Sequence, residues 1–282
     1  MPRNVNRLQD PVTGFGGLLR SWRRLRRLSQ ESLALEAEIS QRHLSCLETG
    51  RSAPSREMIL HLSQVLDVPL RDRNLLLSAA GFSPAYAHRS LAGPELAGVD
   101  MALTLMLDGL QPCPALVVDR DWNMIRANDA ALRTFSAFVD LEQAFARIAP
   151  PGGGANVLWL LFHPEGLRPC IVDWERVAAA MLARIQGELL ADPAWRNGST
   201  LLAGLRSLAG ASIAHGPALP MVPTPDPVLT LELRNDALAL SLFSMVATFG
   251  TAQDITVQEL RVEAFFPADD ASRATLELLL QD

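Results

Sequence analysis

Cysteine is scarce in this chain, and the three present, Cys46, Cys113 and Cys170, are odd in number, far apart and free of any C-x-x-C spacing. That pattern excludes a disulfide framework and a zinc site, and suits a reducing compartment. Long apolar runs are also missing. The longest stretch free of Asp, Glu, Arg, Lys and His, Ala237 to Gln253, is shorter than the roughly 20 residues of a spanning helix, and its alternating Leu238, Leu240 and Leu242 suit a strand. The first residues, MPRNVNRLQDPVTGFGG, have no apolar core of the signal-peptide kind, so a soluble, cytoplasmic protein with no membrane partner is expected. No Gly-rich phosphate loop, G-x-S-x-G elbow or H-E-x-x-H is present, which leaves enzyme chemistry and a metal site unsupported and no cofactor required. Lysine is absent altogether, all 25 basic residues being arginine, but GC-rich coding produces the same bias.

What is present is an ordinary globular composition, 49% apolar and 20% charged, over 282 residues, a length that fits two domains. The net charge of −6 is unevenly spread. Residues 1–90 carry 13 Arg against 8 Asp and Glu, a net +5, and the remainder carries the acidity. A basic front half on an acidic body points to a local polyanion contact.

The first 80 residues read as five short helices. Leu18, Trp22, Leu25 and Leu28 recur at helical spacing among Arg20, Arg23, Arg24, Arg26 and Arg27, of which a single helix face could bring only a minority to phosphate. Ser29 and Ser40 stand where N-caps stand, Gly50 where a helix ends, and Pro54 and Ser55 restart the chain. Between Ser29 and Gly50 lie two helical patterns with almost no connection. Leu33, Ala37, Ile39, Leu44 and Leu47 face one core, while Gln41, Arg42 and Ser45 are left off the stripe at the start of the second pattern. Gln and Arg can pair with adenine and guanine edges and Ser can meet phosphate or base, so this face is expected in the major groove of double-stranded DNA. Ser40 at the cap joins the candidate set, as does His43, which could equally be a packing or phosphate neighbour.

Domain boundaries are expected at 1–81, a Pro- and Gly-punctuated linker at 82–95, and a second domain at 96–282. In the second domain, ALVVD and WNMIRAN predict two strands around an Asp119–Asp121 turn, followed by a helix. Leu141 to Ala209 reads as mostly helical, with interruptions at PPGGG and HPEGLRP. VLTLELR, LALSLFSMVATFG and ITVQELRVEAFF predict three more strands before a last helix. The expected architecture is therefore a helical head followed by an antiparallel sheet with helices packed on it. Trp122, Leu158, Trp159, Phe162, Phe243, Met245 and Phe249 are candidates to line an apolar pocket, or simply to fill a core.

Residues 15–80 resemble the five-helix DNA-binding domain of phage-repressor-type regulators, the XRE family, through SQESLA, ISQRHLSCLETGRSAPS and LSQVLDVPL. The resemblance implies that Gln30 holds a phosphate, that Gln41, Arg42 and Ser45 meet bases or adjoining phosphates, and that Arg51 clamps the backbone. Glu38 stands where the family usually has Gly in the turn. Over nearly the whole chain, PALVVDRDWNMIRAN, LLFHPEGLRPCIVDWE and FGTAQDITVQELRVEAFFPAD also resemble the MmyB-type regulators. That resemblance implies a PAS-like α/β ligand-binding domain, a possible bound fatty acid, and a homodimer on an operator with paired half-sites. A fatty carboxylate would want a cation or donor, for which Arg126, His163, Arg168 and Arg234 are the available groups. The rival reading gives the second domain no ligand and makes it a dimerisation or protein-interaction module.

Overall fold

The computed structural model describes residues 14–150, 153–192, 195–210, 213 and 228–281. Of the predicted PPGGG interruption, residues 151 and 152 lie outside them. Contacts divide the chain into two units, Met1–His88 with Gln253–Ile255, and Arg89–Ala252 with Thr256–Asp282.

The first unit holds five helices: α1 Phe15–Leu25, α2 Gln30–Glu36, α3 Gln41–Glu48, α4 Arg56–Val65 and α5 Leu70–Ala79. Their starts are set locally. The hydroxyls of Ser29, Ser40 and Ser55 accept hydrogen bonds from the backbone N–H groups of Ser32, His43 and Met58, so each cap satisfies a donor that the first helical turn leaves open. Asp67 ends α4 in the left-handed region, as do Gly50 after α3 and Gly81 after α5. Phe15, Leu19 and Trp22 from α1, Leu33 and Ala34 from α2, and Leu44 and Leu47 from α3 enter one core with Ile59, Leu62 and Leu77. Gly16 lets α1 approach the end of α3, because a Cβ there would lie 2.6 Å from the Leu47 carbonyl oxygen.

The second unit is built on an antiparallel sheet of order β2-β1-β5-β4-β3: β1 Ala115–Val118, β2 Met124–Ala127, β3 Thr230–Arg234, β4 Ala239–Thr248 and β5 Arg261–Pro267. Alternation sorts its side chains. Leu116 and Val118 of β1 and Leu240 and Leu242 of β4 face the larger core. Ala115, Val117, Val262 and Ala264 face Leu103 and Leu107 of helix α6 (Ala97–Gly109). The larger core is covered by α7 Asp129–Ser136, α8 Leu141–Arg147, α9 Val157–Phe162, α10 Trp174–Ala191 and α11 Gly198–Ala209, and the chain closes with α13 Asp270–Gln281.

One predicted strand is corrected. The run ITVQELRVEAFF does not begin as strand: Ile255–Glu259 forms a one-turn helix, α12, and the strand starts at Arg261. Pairing decides this, because both partners of β5 end opposite Arg261, at Val118 of β1 and at Thr248 of β4. Upstream of it the β-branched residues have no ladder to join, and Ile255 and Val257 are buried from a helix instead.

Candidate functional site

Two sites stand out, one in each unit. In the first, α2 and α3 meet across Ala37 to Ser40, with Leu44 and Leu47 fully buried, and α3 turns Gln41 and Arg42 outward. Both are exposed, and neither side chain has a hydrogen-bond or ion-pair partner among the described residues. Ser45 and His43 are half-buried on the same helix, and Arg51 is exposed just beyond it. Ser40 is exposed, and its oxygen is engaged by the His43 amide at 3.1 Å.

Beneath this face lies a buried charge cluster. Arg23 grips the Glu48 carboxylate with both ends of its fork, at 2.6 and 3.0 Å. Arg20 adds a bond to the Glu48 backbone carbonyl at 3.0 Å, and Gln30 donates Nε2 to Oε2 at 2.8 Å. Burial pushes the Glu48 carboxyl up, but the hydrogen bonds from Arg23, Gln30 and Arg20 and the Arg23 charge together hold it below its ordinary 4.5. Gln30, implied by the XRE resemblance to hold a phosphate, is therefore clamped from behind through its amide nitrogen. The arginine run of α1 is mostly structural. Arg23 and Arg20 serve Glu48, and Arg26 donates to the carbonyls of Leu66 and Asp67, which leaves Arg24 and Arg27 as its exposed members.

In the second unit a cavity of about 910 Å³, counting its open mouth, lies between the sheet and α7 to α10. Its wall is nearly all apolar. Leu116 and Met124 come from the sheet, Phe135 from α7, Phe145 from α8, Leu158 and Leu161 from α9, Met181 from α10, and Leu231 and Phe265 from β3 and β5. Trp122 forms part of the wall and is held in the left-handed region at φ +66° by its turn. There Asp119 Oδ1 accepts from the amides of Asp121 and Asn123, and Asn156 donates to the Asp121 carbonyl at 2.7 Å. The indole ring meets the Arg184 guanidinium at 4.5 Å and that of Arg261 at 5.4 Å, and its N–H is buried with no partner among the described residues.

Of the residues the sequence suggested for a ligand, Trp122 and Leu158 line this cavity. The others lie elsewhere. Phe162 is wholly buried in the core, edge-on to Trp174 at 5.1 Å. Arg168 sits over Trp174 and donates to the Leu208 carbonyl at 2.6 Å, while His163 Nδ1 accepts from the Glu165 amide. Arg126 is paired with Asp100 and donates to Thr104 Oγ1. Phe243 stacks on Phe266 at 5.8 Å, and Phe249 packs beside α6, both on the other face of the sheet. Phe243 misses by one position. Its neighbour Ser244 points into the cavity, as alternation along β4 requires. Sequence reasoning passed over Glu263 and Arg184, although a charged residue inside the apolar run of β5 and an Arg184–Glu188 pair at helical spacing were visible signals.

A helix pair that exposes a polar helix start, followed by a sheet domain with an apolar cavity, defines a helix-turn-helix protein with a pocket-bearing second domain, and residues 19–72 match a helix-turn-helix family model. Residues 99–279 match the model for the MmyB-like transcription regulator ligand binding domain, and the chain belongs to that family. No curated protein matches it. An RNA-binding light-oxygen-voltage receptor of known structure aligns over 95% of this chain at 14% identity with a TM-score of 0.26. The chain spans 62% of that receptor's length, and so distant a likeness carries no argument. Among the described residues no helix is long and apolar enough to cross a membrane, and no three His, Cys, Asp or Glu come together as metal ligands.

Proposed function

We propose that this protein is a sequence-specific DNA-binding transcription regulator whose second unit binds a small apolar ligand. The observation that carries the reading is the contrast along α3. Leu44 and Leu47 are at 0 and 1% exposure, while Gln41 and Arg42, at the end where helix amides favour phosphate, are exposed and unpartnered. The family membership and the apolar cavity support the ligand half, and the chain of a fatty acid is a shape such a wall accepts. Met101 and Leu105 of α6, 65 and 67% exposed, support self-association of the second unit, so the proposed form on DNA is a homodimer on paired half-sites.

Selection of random duplexes by the purified full chain tests this. Enrichment of two copies of one short half-site, about 10 base pairs apart centre to centre or a multiple of that, is the expected result. Recovery of an unenriched pool would remove sequence-specific DNA binding from the reading.

A further inference from the structure

Apart from the Trp122 indole, the polar members of the cavity wall among the described residues are Ser244 and Glu263. Glu263 is 6% exposed, and one of its oxygens, Oε1, accepts from Arg184 Nη1 at 3.1 Å. The other, Oε2, has no partner among the described residues. Arg184 also meets Glu188, and Arg261 meets Glu188 at 2.7 Å, so two guanidinium groups face two carboxylates and the local charge is balanced. Of the basic groups expected to meet a carboxylate, Arg126 is paired with Asp100, Arg168 donates to the Leu208 carbonyl and His163 Nδ1 accepts from the Glu165 amide, and neither these three nor Arg234 lines the cavity. A fatty-acid anion with its head at Glu263 would place a third carboxylate beside this pair with no counter-charge to spare among the described residues, which costs far more than the same chain ending in a neutral head. A hydroxyl head would instead donate to Glu263 Oε2 and exchange hydrogen bonds with Ser244.

Resting on the ligand-binding reading above, we infer that the cavity takes an uncharged long-chain molecule with a hydroxyl head, its head at Glu263 and Ser244, in preference to a fatty-acid anion. Three chain-matched probes, 1-dodecanol, methyl dodecanoate and dodecanoic acid, are titrated into the full chain at about pH 8, where the acid is ionised, against the neutral fluorophore N-phenyl-1-naphthylamine. Dodecanol is expected to displace the fluorophore at least about tenfold more tightly than the acid, with the ester, which accepts but cannot donate, between them. Glu263→Gln removes the repelling charge and is expected to narrow the gap by about tenfold, mainly by improving the acid. Ser244→Ala, a change at an exposed position, is expected to weaken dodecanol, which exchanges hydrogen bonds with it, by about threefold, and the ester, which only accepts, by less. Acid binding equal to or tighter than dodecanol would overturn the uncharged head while leaving the cavity a lipid site. Failure of the fluorophore and all three probes to bind would overturn the ligand-site reading and the inference with it.

Discussion

Arg42 and Glu48 lie six positions apart on α3 and do opposite work. Arg42 is exposed and has no hydrogen-bond or ion-pair partner among the described residues, so Arg42→Ala should leave the thermal midpoint unchanged while weakening binding to the selected duplex by about 1–3 kcal/mol, measured by fluorescence anisotropy. Glu48 is the counter-case. Its side chain is fully buried against Arg23 and Arg20, so Glu48→Gln leaves guanidinium charge uncompensated and should destabilise the helical head by about 3–5 kcal/mol, read from thermal unfolding. The pH dependence follows from the lowered carboxyl. The folded value lies below 4.5, so the contribution of Glu48 is complete above the ordinary value and is lost as pH falls through the folded one. The gap between wild type and Glu48→Gln should therefore be constant near neutrality and close on acidification below about pH 4.5. A gap that persisted unchanged into acid would contradict the assignment.

At the scale of elements, the turn between α2 and α3 carries strain the sequence announced. Glu38 adopts φ +52°, a region where a side chain costs about 1 kcal/mol and glycine costs little. Glu38→Gly should accordingly raise stability by up to about 1 kcal/mol, offset in part by the extra freedom of glycine when unfolded, and should tighten DNA binding by removing a negative charge. Thermal unfolding and anisotropy on the same variant separate the two effects. The HPEGLRP loop shows a different constraint. It folds back on α9, with the Leu167 amide bonded to the Leu160 carbonyl at 2.8 Å, and a Cβ at Gly166 would overlap that carbonyl oxygen. Its rigidity was legible from Pro and Gly, but it aims Arg168 at Trp174 and a backbone carbonyl and not at the cavity.

For the molecule as a whole, the uneven charge makes a prediction about salt and length. A fragment ending near residue 90 contains the whole helical head and its net +5, and should bind duplex DNA weakly with affinity falling steeply as salt rises. The full chain should bind a paired site more tightly than the fragment, because the second unit supplies self-association in the proposed homodimer. Equal affinity of fragment and full chain for a paired site would place the dimer contacts in the head.

The sequence by itself determined the elements whose causes are local. A Ser hydroxyl caps its own helix, apolar residues three and four apart make one stripe, and alternation along β4 separates Leu240 and Leu242 from their neighbours, all without knowledge of what lies across the core. The same locality made Gln41 and Arg42 legible, since a helix that buries Leu44 and Leu47 must turn its other side outward. Only the tertiary structure decided which residues share a cavity and which cation meets which carboxylate. Trp122, Phe135, Met181 and Glu263 come together from segments far apart in the chain, and Arg184 reaches Glu263 across 79 positions. Such distances are set by strand order and by which helix crosses which face, quantities that no local spacing encodes. The arginines of the first helical segment give the same lesson in the head: their spacing shows that only a minority can reach phosphate, but only the fold shows that Arg23 is taken up by Glu48, 25 positions beyond it.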